Sequence, residues 1–169
     1  MAHTVAGVNL FSGSHNRAGE NHVSGGPKGL DETAVGVEAG NGTGDAVVRN
    51  VVTQPTQDGV SVSAGDPRLP RTVDTVVRSN VVLLAARDGF AVDTEEAVGS
   101  RGTRLSGNCA ERSGDDGFDV RNADTTVKGN VARSNQDFGI VAVRGVTDGG
   151  HNHASGNGKR AQCTGVKCG

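Results

Sequence analysis

The chain has 169 residues, 27 of them Gly, and contains no Trp or Tyr. Its length fits one domain, and a Gly- and Val-rich, Leu-poor composition excludes a helical bundle. No apolar run reaches the ~18–20 residues of a membrane-spanning helix. With 17 basic and 19 acidic residues, charge gives no reason to expect a nucleic-acid partner.

Taken in chain order, Met1-Ala2-His3-Thr4 opens a segment with neither a basic nor an apolar signal-peptide region. Residues 1–45 read as irregular N-terminal coils, with Asn21 and Gly36-Val37 as weak anchors. Regular organisation starts at residue 46. Asn50 is followed nine residues later by Gly59, and the same interval separates Asn80 from Gly89, Asn108 from Gly117 and Asn130 from Gly139. The apolar positions keep this frame. Val60, Phe90, Phe118 and Ile140 follow the glycines directly, and Val62, Val92, Val120 and Ala142 come two places later. Val52, Val82, Ala110 and Ala132 stand two after the asparagines, and Val47, Val77, Leu105 and Val127 three before them.

Period-two alternation in short stretches predicts strands with one buried face. A unit this short cannot bury that face alone and does so by stacking on its neighbours. Three short strands per unit, each paired in parallel with its counterpart ~4.8 Å away, predict an all-β parallel β-helix. A left-handed solenoid would need a six-residue repeat, and a calcium β-roll needs serial nonapeptides, of which Gly40-Asn41-Gly42-Thr43-Gly44-Asp45 is one isolated, imperfect copy. Asn50, Asn80, Asn108 and Asn130, and Asn152 beyond them, are expected to form a stacked amide ladder. The repeat glycines are expected where the chain needs positive φ or close backbone approach.

Regular coils are expected over 46–157 and a Cys-containing tail over 158–169, all in one domain. In the tail, Cys163 and Cys168 suit a small disulfide loop, with free thiols or a two-thiolate metal clip as rival readings. Cys109 is then an unpaired, buried small residue.

The segments Asn108-Cys109-Ala110-Glu111-Arg112-Ser113-Gly114-Asp115-Asp116-Gly117-Phe118-Asp119-Val120 and Asn130-Val131-Ala132-Arg133-Ser134-Asn135 resemble the repeats of the pectate-lyase-like superfamily. The resemblance covers about Asn50 to Asn157. It implies a single-stranded right-handed parallel β-helix, here of about six coils, and an extracellular, secreted setting. It also implies an acidic polysaccharide as partner, handled by a lyase, hydrolase or epimerase or merely bound. A non-catalytic structural or binding module, or a truncated relative, is the competing expectation. No amphipathic capping helix precedes the first rung, so end-to-end self-association is a further expectation.

Two candidate sites follow. Asp93, Asp119 and Arg121 are expected to point outward on one face of a strand column. A uronan lyase or epimerase needs a cation or arginine for the substrate carboxylate, and a base; a hydrolase needs paired carboxylates. Long loops after residue 64 and after Asp93 would wall this strip. Asp58, Asp88 and Asp116 stack at rung spacing, where two carboxylates repel by roughly 1 kcal/mol even in a water-like medium. Solvent screening at an exposed turn, side-chain bonds to turn amides or a bound cation such as Ca²⁺ would each relieve that repulsion, and a catalytic role is a further reading of the column. Asp115, Asp116 and Asp137 are the candidate cation ligands. Gly114-Asp115-Asp116 also resembles the G-D-D of polygalacturonase-type hydrolases.

Overall fold

The computed structural model describes residues 6–25, 35–93 and 99–169. These form three parallel sheets of seven, six and six strands, an arrangement consistent with a parallel β-helix. The first sheet contains Ala6–Ser14, Val35–Thr43, Val60–Val62, Phe90–Val92, Phe118–Val120, Ile140–Ala142 and Cys163–Thr164, side by side in sequence order. The second sheet includes Ala46–Val48, Val76–Arg78, Thr103–Ser106 and Thr125–Lys128; the third includes Val51–Thr53, Val81–Leu83, Cys109–Glu111 and Val131–Arg133. Each winding therefore contributes once to each sheet. Residues 94–98 of the loop expected after Asp93 lie outside the described residues.

The frame read from the repeat is the register of the sheets. Val60, Phe90, Phe118 and Ile140 are successive partners in one column, and Val62, Val92, Val120 and Ala142 in the next. Val47, Val77, Leu105 and Val127 line the second sheet inside, and Val52, Val82, Ala110 and Ala132 the third. All twelve of the largest fully buried side chains are Phe, Leu, Ile or Val, most of them in these columns. Phe90 and Phe118 stack with ring centroids 4.6 Å apart and planes 6° from parallel. The strands are short because each coil must turn three corners. Residues before the ladder asparagines take left-handed conformations, with φ of 55° at Arg49, 56° at Ser79 and 61° at Gly107. A second left-handed corner follows the third sheet, at Gln54, Leu84, Arg112 and Ser134.

The asparagine ladder runs from Asn21 to Asn152. In each step a backbone N–H donates to the side-chain carbonyl of the next asparagine: Asn50 to Asn80 at 2.9 Å, Asn80 to Asn108 and Asn108 to Asn130 at 3.0 Å. The Asn80 amide nitrogen also donates to Val47 O and Asn108 Oδ1, so it satisfies buried groups on two strands. Buried polar groups need such partners, because an unpaired one costs about 1–3 kcal/mol. A second ladder lies five residues further on. Ser113 N–H donates to Asn135 Oδ1, Asn135 N–H to Asn157 Oδ1, and Asn157 N–H to Gln162 Oε1.

Of the two reasons considered for the repeat glycines, close approach is the one that applies. Gly59, Gly89, Gly117 and Gly139 do not have positive φ. A Cβ on Gly89 would lie 2.6 Å from both the Gly117 carbonyl oxygen and the Ala110 Cβ. In the tail, Cys163 and Cys168 form a disulfide. Cys109 is a free cysteine and half-buried.

Candidate functional site

The repeat places Asp58, Asp88 and Asp116 at the corner leading into the first sheet. Each carboxylate accepts the N–H of the equivalent residue one winding on: Asp58 from Asp88 at 3.2 Å, Asp88 from Asp116 at 3.0 Å, and Asp116 from Phe138 at 2.8 Å. Turn hydrogen bonding therefore accounts for this column. It also draws the carboxylates out of water. Burial, then the charge of Asp58, pushes the Asp88 carboxyl up to about 7. Burial pushes Asp116 up to about 6 against the bond from Phe138.

Asp115 projects beside this column. One carboxylate oxygen each from Asp88, Asp115 and Asp116 lies within 4.8 Å of the others. Such a group of oxygens suits a hard cation such as Ca²⁺. Asp137 takes a different partner: it stands one place earlier in the frame than Asp116, and its carboxylate pairs with Lys159 Nζ at 2.8 Å. Asp88 thus comes from the winding before Asp115 and Asp116, while Asp137, from the winding after, meets the ammonium of the tail.

Asp119 is on the outward side of the first sheet, next to Ala91 and Val141 in register. The residue is 7 % exposed, and its carboxylate accepts from Arg121 Nε at 2.5 Å. Burial raises its carboxyl and the Arg121 guanidinium opposes that shift. The bond from Asp119, and with it the charges of Asp119, Asp116 and Asp88, raises the Arg121 guanidinium. Asp93 does not join them. The chain turns at φ 50° there, and the carboxylate is buried against the returning loop. Asp93 Oδ2 accepts from Ser100 N and Ser100 Oγ at 2.7 Å and from Asn122 Nδ2 at 2.6 Å. It joins Ser100 and Asn122 to the end of its strand.

A cleft of about 680 Å³ opens at the corner between the third and first sheets. Gln54, Thr56, Leu84, Ala86, Arg112 and Gln136 are among the residues that line it. Sequence reasoning missed it, although its residues recur four to six places after the ladder asparagines.

The raised carboxyls carry a stability signature. Asp88 and Asp116 hold protons in the folded state at pH values where a free Asp, with pKa ≈ 3.9, has lost them. The folded state then binds more protons than the unfolded one, so stability falls with rising pH. Their contribution is fully present below about pH 4 and is lost as pH rises through about 6 and about 7. The thermal midpoint of Asp88→Asn should therefore exceed that of the native chain at about pH 8 and converge with it as pH falls to about 4. Parallel curves for the two proteins would contradict this assignment.

Comparison with family models, curated proteins and solved structures gives no match. What fold and site define is a class: an all-β protein of three parallel sheets with buried asparagine ladders. At the corner leading into the first sheet it carries a carboxylate cluster, two members buried and one exposed, and an arginine–carboxylate pair on that sheet.

Proposed function

We propose that this chain is a right-handed parallel β-helix of about six coils, similar to the pectate-lyase-like superfamily. In this reading it acts on an acidic polysaccharide outside the cell. The observation that carries the reading is the convergence of Asp88, Asp115 and Asp116 within 4.8 Å, beside the Asp119–Arg121 pair. Of the three reaction types, hydrolysis suits these groups best. A glycosidase needs one carboxylic acid that keeps its proton near neutral pH and a second carboxylate to activate water or attack. Asp88, raised to about 7, suits the acid. Asp115, the exposed member of the cluster, suits the base. Arg121 can take a substrate carboxylate in a two-pronged contact once Asp119 releases it. A Ca²⁺ ion on Asp88, Asp115 and Asp116 would instead bridge the protein to a uronate, which is the binding form of the same reading.

The second reading is a non-catalytic structural or binding module. The backbone bonds to Asp58, Asp88 and Asp116 favour it, because they give the column a structural purpose of its own. Incubation with pectate, alginate and neutral glucans, with and without Ca²⁺, separates the two. The hydrolase reading expects new reducing ends without ultraviolet-absorbing unsaturated product, and at least a roughly 100-fold loss in Asp88→Asn and in Asp115→Asn. No turnover on any of these substrates leaves the binding module.

A further inference from the structure

The corner cleft has a construction suited to a polymer. Its residues come from three repeat positions, the fourth, fifth and sixth after the ladder asparagines. Gln54, Leu84 and Arg112 stand four residues after Asn50, Asn80 and Asn108; Thr56, Ala86, Gly114 and Gln136 stand six after Asn50, Asn80, Asn108 and Asn130. The cleft therefore runs along the stacking direction across five windings, from Gly25 to Gln136, a span of roughly 19 Å at ~4.8 Å per winding.

Its floor is made of small residues whose backbone is already paired. Ala86 N–H donates to Pro55 O at 3.0 Å, Gly114 N–H to Ala85 O at 2.8 Å, and Gln136 N–H to Ser113 O at 3.0 Å. A Cβ on Gly114 would sit 2.3 Å from the Ala86 carbonyl oxygen, so that position stays bare and the cleft keeps its depth. These floor N–H groups therefore ask nothing of a ligand.

The walls do. Among the described residues, the carboxamides of Gln54 and Gln136 make no side-chain hydrogen bond, so both offer donors and acceptors to solvent. Leu84, 46 % exposed, is one of three large apolar side chains left in water among the described residues, and it stands in this wall. Arg112 is the one charged residue among the described residues of the lining, its side chain 66 % exposed and only loosely paired with Glu111 at 3.5 Å. The cleft thus presents a line of neutral hydrogen-bonding groups, one apolar contact and one far-reaching guanidinium. No acidic side chain lines it among the described residues.

We infer that this corner cleft binds an extended glycan lying along the solenoid. Sugar hydroxyls meet Gln54 and Gln136, a ring face meets Leu84, and the carboxylate of a uronic unit meets Arg112. The inference rests on the carbohydrate reading above and supplies its binding subsite. Asp115 and Asp116 directly follow Gly114 in the floor, so a chain held here has its next units beside the carboxylate cluster.

The test is calorimetric titration of the full chain with galacturonate oligomers, alginate oligomers and neutral hexose oligomers. The expected result is uronate binding that weakens about 10-fold in Arg112→Ala, the loss typical of one charge-assisted hydrogen bond. Binding of neutral oligomers should be the same in Arg112→Ala and the native chain. Ala86→Trp, which fills the cleft from its floor, should abolish binding while its thermal midpoint and circular dichroism stay near those of the native chain. Uronate binding untouched by both variants overturns the subsite and leaves the carbohydrate reading standing. No binding of any oligomer overturns both.

Discussion

Asn108→Ala is expected to lower the thermal midpoint by roughly 10 °C, far more than a surface substitution. The truncation removes a carbonyl that accepts from Asn80 N and Asn80 Nδ2, and an amide that donates to Val77 O and Asn130 Oδ1. The Asn80 side-chain amide keeps its bond to Val47 O, and Asn130 Oδ1 keeps the Asn108 N–H. The Asn80 N–H is left unpaired, and the Val77 carbonyl, still in register with Leu105 on the next strand, loses its second bond. At about 1–3 kcal/mol for the buried unpaired donor and about 1 kcal/mol for the lost second bond, the cost is about 2–4 kcal/mol. Lys128→Ala, on an exposed neighbouring strand position, should cost under about 0.5 kcal/mol. Thermal melts of the two variants check the ladder. Similar midpoints would mean that the stacked amides are incidental to stability.

Gly89→Ala should be at least as damaging, for a different reason. The added methyl meets the Gly117 carbonyl oxygen and the Ala110 Cβ, both at 2.6 Å and both on the next winding. Neither can move without shifting a strand, so the rung must lift away from its neighbour, at a cost of about 3 kcal/mol or more. Gly150→Ala is the informative comparison. Gly150 has φ 75°, and a methyl there would meet nothing within 4 Å, so its substitution costs only the left-handed backbone penalty of about 1–2 kcal/mol. Close stacking predicts that Gly89→Ala loses more stability than Gly150→Ala in denaturant titrations. The reverse order would make backbone conformation, rather than rung contact, the reason for the repeat glycines.

The columns were legible because every winding repeats them. An interval of nine between asparagine and glycine, with fixed apolar offsets, is enough to set strand register from the chain alone. The second ladder was hidden by its own irregularity. Asparagine occupies the fifth place after the anchor at Asn135 and Asn157, whereas Pro55, Ala85 and Ser113 fill it elsewhere. The site was only partly readable. Alternation put Asp93 and Asp119 on the same outward side, but alternation holds only while the strand continues. At Asp93 the chain leaves the strand at φ 50°, and the carboxylate turns to Ser100 and Asn122. Asp137 stood near Asp116 in sequence frame, yet its orientation depended on Lys159, a residue outside the regular repeat. Burial of Asp88 and Asp116 was invisible for a similar reason. Their column was evident, but how deeply the corner covers it depends on packing that no spacing encodes.

The most direct measurement is the set of through-space proton contacts among the side-chain amides of isotope-labelled protein in solution. Superposed windings place the amide of Asn50 beside Asn80, Asn80 beside Asn108, and Asn108 beside Asn130, each pair joined by a hydrogen bond of 2.9 to 3.0 Å. An unbroken chain of cross-peaks linking these four residues in that order is the predicted result. Four well-resolved amides without contacts between them would mean that the windings do not lie over one another, and the cleft and the carboxylate cluster would lose their basis with the fold.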